Sequence, residues 1–254
     1  MSARPYVLKE TNWKTIQADV PKLAILPWGA TEAHNYHLPY GTDIFETEII
    51  AAESARIAWE QGCSCAVLPI IPFGVNTQQQ DIPLTINMNP STQLTVVRDV
   101  IHSLEQQDIE KLVILNGHGG NDFKPIIREL QPETDLFLCQ VAWYAIPAEA
   151  GLFERGGDHA DEMETSLMLH IVPEFVLPLE EAGEGRSKQP SIEGFKKKWA
   201  WMPRPWTQVT EDTGVGNPKA ATPEKGAKHF SRVTQAIAEF LVELEGSSPD
   251  RLYK

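Results

Sequence analysis

Short apolar runs alternate with longer segments of helical period along this chain. The apolar runs predict buried β-strands, and the segments between them are long enough for the helices that connect parallel strands. The predicted strands are residues 23–27, 66–70, 112–115 and 136–141, and the predicted helices between them are residues 44–59, 91–106 and 121–130. This order is typical of an α/β layered protein with a mostly parallel central sheet.

The last part of the chain predicts another long helix. Thr222 can cap its first turn, and Pro223 suits the first helical position. Apolar residues then recur on one face of the helix, at Phe230, Val233, Ile237, Leu241 and Leu244.

Two stretches, residues 71–90 and 178–223, fit neither a strand nor a helix and are rich in Pro, Gly, Asn and Gln. Long loops within a domain are usually functional or disordered. The second stretch contains Trp199, Trp201 and Trp206, which argues against disorder because disordered segments are poor in aromatic residues. We expect an ordered cover over an active site or a contact between subunits, with a packed surface loop as the alternative.

The composition fits one folded domain and excludes several classes of partner. With 254 residues and 42% hydrophobic content, residues 1–254 are expected to form a single domain. The net charge of −13 argues against nucleic-acid binding, which needs clustered Lys and Arg. No run of about 18 apolar residues and no signal-peptide pattern occurs, which predicts a cytoplasmic protein with no membrane partner. The three cysteines form no Cys-x-x-Cys pair, so histidines and carboxylates would have to bind any metal.

A first cluster of metal-binding residue types follows the first predicted strand. Glu32 and His34 are two positions apart, so their side chains point the same way in an extended segment. His37 and Asp43 follow shortly after. Ligands of open parallel sheets bind beyond the carboxyl ends of the strands. The combination favours a metal site, although Asp43 taken alone would be interpreted as a helix cap.

A second cluster is Asn-Gly-His-Gly-Gly-Asn at residues 116–121, between a predicted strand and a predicted helix. Its glycines let the backbone turn sharply around His118 and approach a ligand closely. Asn121 is expected to cap the helix. The spacing matches neither a Walker loop nor a dinucleotide fingerprint. A turn with an incidental histidine is the alternative to a ligand site.

The third cluster, residues 158–166, contains Asp158, His159, Asp161 and Glu164. Asp158 or Asp161 can cap a helix that runs to about residue 171. Glu164 would share an apolar face of that helix, where an unpaired carboxylate is costly unless it is protonated or binds a cation. His159 does not share this face, but it can reach the site if it lies in the capping turn.

Together the clusters supply five candidate metal ligands, which are Glu32, His34, Asp43, His118 and Glu164. A catalytic metal usually has about three protein ligands and an open position, so five ligands suit two metals better than one. Asp43 is then the natural bridging carboxylate, and a water or hydroxide would span the two ions on the other side.

At these residues the sequence resembles the creatininase family, also called the creatinine amidohydrolase family. The resemblance covers most of the chain and rests on separate motifs in the same order, at residues 29–34, 37–43, 116–121, 158–166 and 214–226. It implies a three-layer α/β/α fold and a binuclear site that usually holds zinc, manganese or iron. It also implies hydrolysis of cyclic or linear amides, and homo-oligomers that are often hexamers.

The resemblance also assigns roles to single residues. Four residues match the family's metal ligands, namely Glu32, His34, Asp43 and His118. Creatininase itself has a ligating glutamate two positions after the motif histidine, where this chain has Gly120, and we expect Glu164 to replace it. Many relatives carry a Glu-His pair near Gln78 and Gln79, so the substrate contacts there are expected to differ. The glycine at position 120 weakens the case for creatinine itself as the substrate.

We therefore expect a hydrolase in which a metal-bridging hydroxide attacks the carbon of a C–N amide bond in a small molecule. The cofactors would be two divalent ions per chain, zinc first and manganese or iron otherwise. His159, oriented by Asp158, is the candidate to pass a proton to the leaving nitrogen. His37 would support a ligand or pack below the site.

Three alternatives to this reaction remain open. One is a peptide-trimming member of the same family, and another is a metal-binding or ligand-binding protein that has lost the reaction. A phosphate-ester hydrolase is the third, and it would need basic residues facing the metals. The motifs contain almost none.

Overall fold

A four-stranded parallel sheet forms the centre of the computed structural model, which describes residues 4–248 and 252–253. Its strands lie in the order β2-β1-β3-β4, and every pairing is parallel. The strands are β1 (Leu23–Trp28), β2 (Cys65–Val67), β3 (Lys111–Asn116) and β4 (Phe137–Ala142).

Helices cover both faces of this sheet. The α-helices of the described ranges are α1 (Trp13–Ala18), α2 (Thr42–Glu60), α3 (Pro90–Glu105), α4 (Phe123–Leu130), α5 (Glu162–Ile171), α6 (Glu193–Lys196), α7 (Trp206–Val209) and α8 (Pro223–Glu245). Helices α2 and α8 pack on one face, and α3 and α4 pack on the other. The predicted three-layer α/β/α architecture is therefore confirmed.

Alternate residues of each central strand point to opposite layers, which explains why the strands read as continuous apolar runs. Leu23 and Ile25 of β1 join the cluster formed with α2 and α8, whereas Leu26 and Trp28 join the cluster formed with α3 and α4. All four side chains are buried. Strands covered on both faces need apolar side chains on both, and each such burial contributes about 1.5–3 kcal/mol.

The predicted strands match the observed ones to within one residue at most ends, and β2 is the exception. Its predicted range, 66–70, extends past the observed end at Val67. Pro69 has no amide hydrogen to donate to a strand ladder, so regular pairing cannot continue through it.

The prediction that Asn121 caps α4 is wrong. The Asp122 carboxylate caps this helix by accepting a hydrogen bond from the Lys124 amide at 3.1 Å. The Asn121 side-chain oxygen instead accepts from the Val75 amide and from the Gln93 side chain, at 3.0 and 2.8 Å. Asn121 therefore ties the glycine-rich turn to a distant loop, a contact that local sequence cannot reveal.

The N-caps of α2 and α5 decide which of the three candidate aspartates cap a helix. Gly41 is the N-cap of α2, so Asp43 lies in the first helical turn and is not the cap. Asp161 caps α5 by accepting from the Met163 and Glu164 amides at 2.9 and 3.1 Å. Asp158 therefore lies outside the helix and its cap.

Residues 178–223 are ordered and include α6 and α7. Ser187 and Thr210 form a β-bridge that joins two parts of this stretch. In the described ranges, no helix has both the length and the apolar content needed to span a bilayer.

The strand order creates a topological switch point beside β1. The chain passes from β1 to β2 on one side, and β3 then pairs with the other side of β1. Trp28 at the end of β1 is level with Asn116 at the end of β3. In open α/β sheets, ligands bind at the carboxyl ends of the strands that flank such a point.

Candidate metal centre

The candidate site lies where the carboxyl ends of β1 and β3 meet. The loop after β1 carries Glu32 and His34, and the turn after β3 carries His118. Asp43 enters from the first turn of α2, and Glu164 enters from the first turn of α5. The fold thus brings all five predicted ligands to one place.

A first donor group consists of Glu32, Asp43 and His118, whose ligand atoms lie within 4.8 Å of one another. Nδ1 of His118 is 2.8 Å from Glu32 Oε1 and 3.0 Å from Asp43 Oδ2. All three side chains are buried.

A second donor group consists of His34, Asp43 and Glu164, also within 4.8 Å. Nε2 of His34 lies 3.1 Å from Asp43 Oδ1. Asp43 is therefore common to both groups and faces their histidines through different oxygens.

Backbone carbonyl groups fix the orientation of both histidines. Nδ1 of His34 is 3.1 Å from the carbonyl oxygen of Glu32, and Nε2 of His118 is 3.0 Å from that of Val75. A carbonyl oxygen can only accept, so each of these ring nitrogens donates. The opposite nitrogen of each ring faces the carboxylates. Once its proton is lost, that nitrogen can offer a lone pair to a cation, as in metal-binding histidines held by a second hydrogen bond.

The donor set fits a divalent cation. Glu32 Oε1 and Asp43 Oδ2 are fully buried, and both crowd around the single nitrogen Nδ1 of His118 without well-directed hydrogen-bond geometry to any residue of the described ranges. Buried carboxylate oxygens that are poorly hydrogen-bonded are costly, and a bound cation would remove that cost. Imidazole nitrogens combined with carboxylate oxygens suit zinc, manganese or iron.

The pKa values reflect the same crowding of charge. Burial alone would lower the pKa of His34, but Asp43 outweighs burial and raises it to about 9. The pKa of His118 is likewise raised well above its usual range, because Glu32 and Asp43 outweigh burial. Burial raises the pKa of Glu164 to about 8. Without a metal, His34 and His118 therefore carry protons that balance the charge of Glu32 and Asp43, and Glu164 is itself protonated at neutral pH.

His159 reaches the site from the segment before α5. Its ring lies against that of His34, tilted by 32° with centroids 4.1 Å apart, and Nδ1 lies 4.0 Å from Glu32 Oε1. Nε2 is 2.8 Å from the carbonyl oxygen of Ala33, which fixes the ring. Burial and the neighbouring His34 lower the pKa of His159 to about 4. His159 is therefore neutral, and with Glu32 and His34 it forms a third group of possible ligands, whose atoms also lie within 4.8 Å of one another.

The expected orienting role of Asp158 does not hold in the structure. Its carboxylate accepts a hydrogen bond from Arg204 Nη1 at 2.8 Å, and the Ala33 carbonyl holds the His159 ring instead. His159 forms a backbone bridge with Val215 and is buried, whereas the neighbouring Asp158 side chain is about half exposed.

His37 lies beside the centre and belongs to neither donor group. Its Nε2 is 2.9 Å from Thr165 Oγ1 on α5, and the side chain is buried. Burial lowers its pKa to about 4. Of the two roles expected for His37, the packed position is the one observed.

Gln79 contacts a candidate ligand, a role that the sequence did not predict. The sequence predicted only that substrate contacts near Gln79 differ from those of relatives. It is completely buried, and its side-chain amide donates to Glu32 Oε2. The bond orients Glu32 so that Oε1 faces His118. The polar run at residues 77–80 in a long loop was the available signal, but nothing local connects it to Glu32.

A cavity of about 840 Å³ opens above the cluster. Glu32, Asp43, His118 and Glu164 line its base. The opposite wall comes from the long second loop, through Trp201, Met202, Pro203, Arg204 and Trp206. The loop predicted to cover an active site therefore does line this cavity.

The sequence profile described as Creatininase: Creatinine amidohydrolase matches residues 9–241. The chain belongs to the creatininase family. A chain described as a candidate creatinine amidohydrolase from Bacteroides fragilis NCTC 9343 is 40% identical, with 100% of both chains covered and a TM-score of 0.92.

Two curated relatives of this chain are named for different reactions. Creatinine amidohydrolase of Pseudomonas putida is 25% identical, over 92% of this chain and 95% of that protein. A mycofactocin precursor peptide peptidase of Mycolicibacterium smegmatis is also 25% identical, over 98% of this chain and 94% of that protein. Membership of the creatininase family thus leaves the substrate open.

Gly120 is the position where the resemblance implies a ligating glutamate in creatininase itself. In this creatininase-family chain, a Cβ at Gly120 would overlap the Val75 carbonyl oxygen and Nε2 of His118. A glutamate cannot be placed there unless this segment moves. Glu164 joins the second donor group from a different element, α5.

Proposed function

We propose that this protein is a two-metal hydrolase that cleaves a C–N amide bond in a small molecule. The supporting observation is that the two oxygens of Asp43 face separate donor groups. Glu32 and His118 complete the first group, and His34 and Glu164 complete the second. One shared carboxylate between two sets of ligands is the arrangement that a binuclear centre requires.

Two bound ions would supply a water of lowered pKa and a Lewis acid for the carbonyl oxygen of the amide. Zinc is the first choice for these ligands, with manganese or iron as alternatives. In this proposal His159 moves the proton. Its Nε2 is occupied by the Ala33 carbonyl, so Nδ1 takes up a proton and passes it to the leaving nitrogen.

Peptide trimming is the second candidate function. It is supported by the similarity to the mycofactocin precursor peptide peptidase, which covers nearly the whole chain. A cavity of about 840 Å³ also has room for more than one small ring. The amidohydrolase proposal is preferred because the family profile itself is described as creatinine amidohydrolase.

The test combines a metal count with a substrate panel. The purified protein is reconstituted separately with zinc, manganese and iron, and bound metal is measured by plasma mass spectrometry. Cyclic amides, formamides and short peptides are then assayed with each form. Two metals and amide turnover support the proposal, and less than one metal per chain contradicts it. Full metal loading without turnover on any compound would favour a binding protein, and turnover of peptides alone would favour peptide trimming.

We also infer a homo-oligomer, a hexamer by resemblance to the family. Light scattering coupled to size-exclusion chromatography measures this directly. A monomeric mass over the whole concentration range would contradict it.

A further inference from the structure

A second groove, of about 660 Å³, adjoins the cavity above the candidate metal centre. The two spaces share four wall residues, which are Asp158, Trp201, Met202 and Arg204. The groove continues away from the metal ligands along the loop that carries α6 and α7. A molecule bound at the centre can therefore extend past this shared wall into the groove.

The charge of this groove is opposite to that of the protein. The chain has a net charge of −13. In contrast, the groove is lined by four cationic side chains, Lys188, Lys196, Lys198 and Arg204, against the single carboxylate of Asp158. Lys188 and Lys198 form no salt bridge with any residue in the described ranges. Uncompensated positive charge beside an acidic cavity favours an anionic ligand.

Arg204 is held at the boundary between the two spaces. Its guanidinium lies over the Trp206 ring, with Cζ 4.6 Å from the ring centroid, and Nη1 donates to Asp158 at 2.8 Å. Trp206 is buried and meets His159 edge-on at 5.2 Å between centroids. Arg204 is thus fixed one aromatic ring away from the candidate proton carrier, with most of its N–H donors still available for a planar anion.

Exposed apolar surface lies next to this charge. Trp201 is 83% exposed and Met202 is 39% exposed, and both belong to the shared wall. An indole face on a loop, adjacent to a fixed guanidinium, suits a planar ring that carries an acidic group. The cavity and groove together are far larger than one small ring requires.

We propose that the groove binds an anionic group of the substrate, so that the substrate is an amide whose planar part bears a carboxylate or phosphate remote from the scissile bond. This inference rests on the proposed function. Arg204 binds the anion at the boundary, and Lys188 and Lys198 extend the positive surface beyond it. An isolated neutral ring such as a simple cyclic amide would leave the groove unused.

The experiment compares matched formamides on the metal-loaded protein. The probes are formanilide, which is neutral, 4-formamidobenzoate and 4-formamidophenyl phosphate. We expect kcat/KM to be higher for an anionic probe, and the better of the two identifies carboxylate or phosphate as the preferred group. Raising KCl to about 1 M, where the Debye length is about 3 Å, should reduce this preference.

Two variants test the residues, with a control of the same chemistry. Arg204→Gln and the double variant Lys188→Gln/Lys198→Gln should each reduce the ratio of anionic to neutral kcat/KM by about tenfold, mainly through KM. Lys14→Gln removes the same charge from an exposed position on α1, outside both spaces, and should leave the ratio unchanged. An unaltered ratio in both groove variants would overturn the proposal.

A binding measurement separates this inference from the proposed function. Calorimetric titration of the metal-loaded protein with 4-aminobenzoate and phenyl phosphate requires no turnover. Tight binding of either anion that Arg204→Gln weakens supports the groove even if no formamide is hydrolysed. If neither 4-aminobenzoate nor phenyl phosphate binds more tightly than aniline, the groove proposal is contradicted even if formamides are hydrolysed.

Discussion

The rings of His34 and His159 are in contact at an angle of 32°, with centroids 4.1 Å apart, but their ring nitrogens have different surroundings. His34 turns Nε2 to Asp43 at 3.1 Å, whereas His159 turns Nδ1 to Glu32 at 4.0 Å. Burial acts to lower the pKa of both histidines. For His34 the charge of Asp43 outweighs burial and raises the pKa to about 9, whereas the pKa of His159 is lowered to about 4. In the metal-free protein at neutral pH, His34 therefore carries a proton and His159 is neutral, although the two rings are in contact.

Replacing His159 by Gln should retain both metals and lower kcat by about 10²–10⁴-fold, because proton transfer to the leaving nitrogen is lost. Metal content is measured by plasma mass spectrometry and kcat by steady-state assay. His37→Gln is the matched control, since His37 is buried nearby but bonds to Thr165 and lies outside both donor groups. Loss of a metal from His159→Gln would instead make His159 a ligand.

Replacing Asp43 by Ala should abolish binding of both metals, because one carboxylate serves both donor groups. Glu164→Gln should leave about one ion per chain, since it disrupts only the second group. Asp122→Ala is the control. Asp122 lines the same cavity and caps α4, so its loss should cost about 1 kcal/mol of stability and no metal. Retention of one tightly bound ion in Asp43→Ala would contradict the shared role.

Metal affinity should rise as the pH is raised from about 6 to 9. The pKa of Glu164 is raised to about 8 and that of His34 to about 9, so both carry protons at neutral pH in the metal-free protein. A cation must displace these protons, and raising the pH removes them beforehand. Competition with a chelating dye at several pH values measures the slope. Glu164→Gln should give a shallower slope, and an unchanged slope would contradict the assignment.

Gly120→Ala should lower both stability and metal affinity. The added Cβ would overlap the Val75 carbonyl oxygen and His118 Nε2, which form a hydrogen bond with each other. Relief of the overlap displaces the His118 ring, at a cost of about 1–3 kcal/mol. Gly119→Ala is the neighbouring control, since its Cβ would meet nothing within 4 Å. Urea denaturation and metal titration of the two variants check the difference, and identical behaviour would contradict it.

His229→Leu should make the protein less sensitive to acid. His229 is buried in α8, and neither ring nitrogen has a partner among the described residues. Burial, with a contribution from Arg232, lowers its pKa to about 4. Between about pH 6.5 and 4 the unfolded chain binds a proton that the folded chain does not, so stability falls as the pH falls.

The leucine variant lacks this titration, so the two free energies of unfolding should diverge in acid. The difference should grow by up to about 1.4 kcal/mol per pH unit below pH 6.5. Urea denaturation at pH 4.5, 5.5, 6.5 and 7.5 measures it. Parallel stability curves for the two proteins would show that folding does not shift the pKa of His229 and would contradict the prediction.

The layered fold follows from the sequence because its signals are local. The apolar runs at residues 23–27 and 112–115 form strands, and the helical period of residues 44–59 forms most of α2. The ligand types were visible for the same reason, since Glu32 with His34, and Gly117 with His118, each stand together directly after a strand. A strand that is buried on both sheet faces, and a ligand residue that follows a strand, can each be recognised from a few neighbouring residues.

Only the tertiary structure decided which atoms face one another. Gln79 bonds to Glu32, and Asn121 bonds to Val75 instead of capping a helix. Arg204, rather than His159, is the partner of the Asp158 carboxylate. These partners are separated by about 45 residues along the chain, and their contacts exist because packed layers and long loops bring them together. Sequence determines which residue types reach the strand ends, and packing determines the direction in which each side chain points.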